Sequence, residues 1–147
     1  MVIDEAGLAL VKQFEGLRLD AYQDVAGIWT IGYGHTRGVF PTMRMTQAQA
    51  DAALNDDLQG AENVVTDAVS GCATTANQFS AMVSLCFNIG SANFRSSTVL
   101  REHRAGAYQD AANAFLLWDK STINGVLTEI AGLLRRREAE RTLYLTA

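Results

Sequence analysis

Glu15, Asp24 and Thr30 follow one another at intervals of nine and six residues. Each has an ordinary use: Glu15 as an exposed last-turn residue of a helix, Asp24 as a turn former ahead of Gly27, and Thr30 as a strand residue. Gathered around one point they offer a carboxylic acid, a carboxylate and a hydroxyl. Hydrolysis of a glycosidic bond needs that set, because one carboxyl must protonate the leaving oxygen while the second carboxylate and a hydroxyl handle water on the other face. The spacing alone is weak evidence, and only the joint pattern outweighs the ordinary uses.

The elements that would position these residues can be read from local pattern. Leu8, Val11 and Phe14 recur at helical spacing behind Asp4 and Glu5, with Gly16 as a stop, which predicts a helix over about 4–15 that ends at Glu15. A carboxyl there meets the negative end of the helix dipole, a setting that suits an acid obliged to hold its proton. Asp24 to Gly27 reads as a turn and Ile28 to Tyr33 as a strand of a small antiparallel sheet. Capping boxes at Thr46 with Gln49 and at Thr75 with Gln78 open a long helix and a very apolar one, Phe79 to Phe87. Further helices are expected over about 97–105, 108–118 and 129–145, with a loop from Ser121 to Gly125. The fold class expected is α+β: one domain over 1–147, with a small N-terminal sheet lobe at about 16–60 and an all-helical lobe at about 61–147. The long helix joins the two lobes, and helix 4–15 packs on the second.

Composition bounds the rest. The 147 residues are 48% hydrophobic and 19% charged with one proline, the make-up of a chain that buries a core. A net charge of −4 argues against a general nucleic-acid binder, and no window approaches a transmembrane helix. The start, with Asp4, Glu5, Lys12 and Glu15, does not read as an export signal. Charge is uneven, −6 through Phe94 and +2 from Arg95 onward. Cys72 and Cys86 are expected as free thiols.

Larger blocks carry a resemblance. Phe14-Glu15-Gly16-Leu17-Arg18-Leu19, Ala21-Tyr22-Gln23-Asp24, Gly27 and Trp29-Thr30-Ile31-Gly32-Tyr33-Gly34-His35-Thr36 resemble the phage-type lysozymes, the endolysins of glycoside hydrolase family 24. The likeness continues through Phe87-Asn88-Ile89-Gly90, Asn93-Phe94, Ser96 to Arg101, Trp118 and Gly132 to Glu140, in the family's order over nearly the whole chain. It implies a lysozyme-like fold, with Glu15 as general acid, Asp24 as second catalytic carboxylate and Thr30 as holder of the attacking water. The substrate implied is peptidoglycan, cut at the β-1,4 bond between N-acetylmuramic acid and N-acetylglucosamine, with inversion. Thr36, Phe87 and Ser97 match positions near the sugars. No metal or organic cofactor is implied, and a monomer is expected. The setting implied is the bacterial host cytoplasm, with a pore-forming holin giving access to the wall at lysis.

The remaining candidates have plainer readings. Only His35 and His103 exist, so a histidine metal site is disfavoured, and His35 reads as a hydrogen-bonded structural residue. Trp29 and Trp118 are expected in the core. Arg135-Arg136-Arg137, with Glu138, Glu140 and Arg141, reads as a solvated, partly ion-paired helix face, or as a surface for acidic stem peptides or anionic lipid. That second use supports an alternative function, an inactive wall-binding or membrane-active protein working through the C-terminal helix. A chitin-directed glycosidase is a nearer alternative. The chain departs from the family at Ala92, at Arg104 and in the Asp119 to Ala131 segment, which lacks the expected glycine-rich spacing.

Overall fold

The computed structural model describes residues 1–147. In chain order the elements are α1 (Glu5–Glu15), β1 (Arg18–Gln23), β2 (Trp29–Gly32), α2 (Gln47–Ala68), α3 (Ala76–Ile89), α4 (Ser91–Arg95), α5 (Thr98–Arg104) and α6 (Tyr108–Ala114). A 3-10 turn follows at Phe115–Leu117, then β3 (Lys120–Ile123), β4 (Val126–Glu129) and α7 (Ala131–Leu145). The architecture is α+β. The chain divides into two compact units, Val11–Gly60 and Met1–Leu10 with Ala61–Ala147. The division falls inside α1, so Val11 to Glu15 cluster with the small unit, whereas the sequence assigns the whole helix to the helical lobe. Within the small unit Lys12 pairs with Asp51 at 3.1 Å and its ammonium lies 5.6 Å from the Tyr33 ring centroid.

In the small unit β1 and β2 pair antiparallel, with Gln23 opposite Trp29 and Tyr22 opposite Thr30 and an irregularity between Arg18 and Tyr22. Leu54 and Leu58, one helical turn apart on α2, are both buried with Ile31 and Val11. The Thr46 capping box forms as expected: Gln49 N–H donates to the Thr46 hydroxyl and Thr46 N–H to the Gln49 side chain.

In the helical unit α3 is buried continuously from Phe79 to Cys86, as its apolar run predicts, and opens with the expected Thr75–Gln78 capping box. α7 packs on α3 and α6. Asp4 accepts from Gly7 N–H through Oδ1, and its own N–H donates to Ser80 Oγ at 2.8 Å. The approach to α3 there is close, since a Cβ added at Gly7 would lie 2.6 Å from the Ser80 Cβ.

Four expectations are corrected here. The Ser121 to Gly125 segment is not a loop but strand and turn of a hairpin, β3 against β4, turned by Asn124 and Gly125 at φ +51° and +79°. Asn-Gly suits a type I′ turn, and its strands pair Thr122 with Leu127 and Ile123 with Val126. The helix expected over 108–118 ends at Ala114 and tightens into the 3-10 turn. The short α4 has no counterpart among the expected helices. The arginine run is not a solvated face: Arg136 and Arg137 are 3% and 0% exposed, and only Arg135 of the three is outward.

The buried arginines surround Glu140, itself 0% exposed. Arg137 Nε lies 2.7 Å from Glu140 Oε1 and its Nη2 donates to Oε2 at 3.0 Å, while Arg136 Nε donates to Oε2 at 3.3 Å. The Ser84 hydroxyl donates to the same Oε2 at 2.5 Å, and Arg136 also donates to the Ser84 carbonyl at 3.3 Å. Burial pushes the Glu140 carboxyl up, against the opposing pull of Arg137, Arg136 and Ser84. Two arginines of the run are thereby committed to α3 and α7, which removes them from any surface role. Cys72 and Cys86 are both free thiols.

Candidate active site

The small unit holds Glu15, Asp24, Thr30 and Thr36. Glu15 is the last residue of α1 and half-buried. Gly16 follows at φ +73°, its N–H donating to the Lys12 carbonyl at 3.0 Å, so the helix stops as the carboxyl is delivered. A Cβ built at Gly34 would lie 3.9 Å from Glu15 Oε2, which puts the carboxyl beside the backbone of the segment after β2. That segment is held by hydrogen bonds at His35. Ile31 and His35 exchange two backbone hydrogen bonds of 2.9 Å, and His35 Nδ1 lies 2.8 Å from Asp57 Oδ2 on α2. His35 is therefore hydrogen-bonded in the way its sequence reading expects.

Asp24 follows β1 at the first corner of the turn. Its Oδ1 accepts two backbone hydrogen bonds, from Ala26 N–H at 2.8 Å and from Ile28 N–H at 2.9 Å. Asp24 N–H donates to the Ile28 carbonyl and Gly27 N–H to the Asp24 carbonyl, both at 2.9 Å. One carboxylate oxygen is thus consumed in building the turn, an Asx arrangement, and Oδ2 is left for chemistry. Thr30 sits on β2, 4% exposed, and its hydroxyl donates to the Ile28 carbonyl at 2.9 Å. With that proton committed, the Thr30 oxygen meets any further partner as an acceptor. Asp24 and Thr30 are consequently both tied to the backbone of Ile28. Thr36 is exposed, one residue beyond His35.

Phe87 and Ser97 belong to the helical unit. Phe87 is half-buried on α3. Ser97 is buried and caps α5, accepting from Leu100 N–H at 3.2 Å and donating to the Phe94 carbonyl at 2.7 Å. The helical unit also has a cavity of about 300 Å³ lined by Asn88, Ile89, Asn93, Trp118, Lys120, Ser121 and Leu133. Trp118 is thus a half-buried wall residue, and Trp29 is likewise half-buried, so neither is the core residue expected from sequence. Sequence reasoning also missed Gln23, whose side chain donates to the Gly27 carbonyl at 3.2 Å, and the Ile28 peptide, which no side-chain signal could mark.

A family model described as phage lysozyme matches residues 12–140. The endolysin of Acyrthosiphon pisum secondary endosymbiont phage 1 is 42% identical over 147 residues, all of both chains, and that of Salmonella phage P22 is 42% identical over 99% of each. Among solved structures, the muramidase domain of SpmX from Asticaccaulis excentricus superposes with a TM-score of 0.93 at 43% identity, covering 99% of both chains. An endolysin from Escherichia coli O157:H7 phage FAHEc1 gives 0.94 at 38% identity, over 99% of this chain and 94% of that one. By sequence along its whole length and by fold, this chain belongs to the phage lysozyme family.

Proposed function

We propose that residues 1–147 act as one lysozyme domain that hydrolyses the β-1,4 bond between N-acetylmuramic acid and N-acetylglucosamine in peptidoglycan, with Glu15, Asp24 and Thr30 as the catalytic residues. The observation that carries this reading is the pair of acceptors made by Asp24 Oδ2 and the Thr30 oxygen, each oriented by the Ile28 backbone. A water donating one proton to each of these acceptors keeps a lone pair free to attack the anomeric carbon. Glu15, on a different element, protonates the departing glycosidic oxygen. Asp24 takes the proton of the attacking water and balances the oxocarbenium charge, which yields the inverted product anomer. Two backbone N–H groups on Oδ1 draw charge from the carboxylate, which favours a water-handling role over nucleophilic attack by Asp24.

Thr36, Phe87 and Ser97 are assigned to the sugar-contacting surface. Because the Ser97 hydroxyl donates its proton and accepts once within its cap, it is left with no donor and one acceptor site for a sugar. In a phage or prophage setting the enzyme accumulates in the host cytoplasm and reaches the wall when a holin opens the membrane. Induced host cells that lyse equally fast with and without the holin would refute that route.

The enzymatic test uses purified peptidoglycan, with reducing-sugar release and turbidity loss measured for the wild type and Glu15→Gln. Both are expected to fold, as judged by circular dichroism, and only the wild type to release reducing ends. N-acetylmuramic acid at the new reducing ends identifies the bond, and equal release by both proteins would defeat the assignment.

A further inference from the structure

Asp24 and Thr30 communicate through the two peptide groups that flank the Ile28 Cα. Ile28 N–H holds Asp24 Oδ1, and the Ile28 carbonyl accepts both the Asp24 N–H and the Thr30 hydroxyl, all three at 2.9 Å. A tilt of the Gly27–Ile28 peptide moves the carboxylate and, through the Ile28 Cα, shifts the carbonyl that holds the hydroxyl proton. Two neighbours keep it from tilting. Gly27 enters it at φ +80°, in the left-handed region that a β-carbon disfavours, while a Cβ added there would meet no heavy atom within 4 Å. The requirement at 27 is therefore conformational and not steric. Gln23, opposite Trp29 across the sheet, donates from Nε2 to the Gly27 carbonyl at 3.2 Å and so restrains the peptide linking Gly27 to Ile28.

We infer that Gly27 and Gln23 are positioning residues of the hydrolytic reaction, holding the Gly27–Ile28 peptide, and through it the Ile28 backbone, so that Asp24 and Thr30 present their two acceptors to one water. Neither is placed to exchange a proton with substrate; both act through Ile28. The inference rests on the function proposed above. It implies that their loss lowers kcat and spares KM, because wall binding does not depend on the direction in which that water points.

The test compares Gly27→Ala, Gly27→Asn and Gln23→Met with Asp24→Asn and the wild type, in the full chain on purified peptidoglycan, recording kcat, KM and thermal unfolding. Asparagine enters the left-handed region far more readily than alanine, so it serves as the conservative rescue. Gly27→Ala is expected to lose about 10- to 100-fold in kcat at unchanged KM. Gly27→Asn should recover most of it. Gln23→Met, which removes one exposed donor, should lose roughly 2- to 10-fold in kcat. A wild-type kcat in Gly27→Ala, a change confined to KM, or a Gly27→Asn as slow as Gly27→Ala would overturn the inference. Should Gly27→Ala fail to fold, Gln23→Met decides alone, and a wild-type kcat there overturns it. Full turnover by Asp24→Asn would instead bring down the proposed function itself, a result separate from an inactive Asp24→Asn beside a fully active Gly27→Ala.

Discussion

Two carboxylates, Asp24 in the small unit and Glu140 in the helical unit, are held in opposite ways. Asp24 lies in a turn, with one oxygen saturated by backbone N–H groups and the other open. Glu140 is 0% exposed, and both its oxygens are engaged, by Arg136, Arg137 and Ser84. A carboxylate with a vacant, oriented oxygen can take a proton from a substrate or a water. One buried and ion-paired in the interior ties elements together, here α7 to α3. The difference lies in burial and charge pairing rather than in residue type, and under the proposed function it separates a group that handles water from one that holds helices together.

The sharpest way to break this contrast is to remove each carboxylate. Glu140→Ala strands two guanidiniums in the interior and is expected to lower unfolding free energy by about 3–5 kcal/mol in urea titration. Asp24→Ala should instead lower kcat by about 10²–10⁴-fold while stability changes by about 1 kcal/mol. Were Glu140→Ala as stable as the wild type, the assembly role would be wrong.

Next in size is a packing test. Gly7→Ala introduces a Cβ 2.6 Å from the Ser80 Cβ and 2.8 Å from Ile3 Cγ1, so one or both must give way. A loss of about 1–3 kcal/mol is expected, and an unchanged urea midpoint would show that the helix shifts freely.

A third comparison sets His35, half-buried beside Asp57, against His103, which is 1% exposed. The Thr74 hydroxyl donates to the Cys72 carbonyl at 3.2 Å, so its oxygen accepts from His103 Nε2–H at 2.8 Å, and the Tyr144 phenol donates to Nδ1 at 2.6 Å. Burial holds the His103 imidazole below its ordinary range and drives the Tyr144 phenol upward, so the pair stays neutral. Because the folded state resists protonating His103, the unfolded state binds more protons once pH drops below about 6.5. Stability should therefore be level from neutral pH upward in this respect and fall on acidification, by up to tenfold in the unfolding constant per pH unit until the folded group itself titrates. Replacing His103 with glutamine should flatten that part of the profile, and an identical acid slope in both proteins would dismiss the explanation.

The smallest effect is expected at the surface pair of Arg44 with Asp20, whose side chains are 83% and 70% exposed at 2.7 Å. Arg44→Ala should leave the urea midpoint unchanged within error, since exposed pairs contribute little. A clear loss would mean that the bridge between Asp20 and Arg44 stabilises β1 beyond its charge.

Much of the site and its scaffold was legible in the residues themselves because the signals were local. The helix ending at Glu15, the turn at Asp24, the strand bearing Thr30 and both capping boxes each rest on contacts within a few residues, where side-chain chemistry and backbone preference act together. The Asn124-Gly125 hairpin was equally local, but its signal was overlooked because short strands of exposed residues carry no burial pattern. The arginine run was not local at all. Charge and spacing are the same for a solvated helix and for one that turns Arg136 and Arg137 inward, and only the arrival of Ser84 and Glu140 around them determines which face is covered. Likewise Trp118 borders a cavity because Asn88, Asn93 and Lys120 come to it from distant parts of the chain. The sequence alone determined which groups could do chemistry and the local elements that carry them. The tertiary structure decided which charged groups were buried and paired and which kept an open lone pair, because that depends on neighbours brought together over dozens of residues.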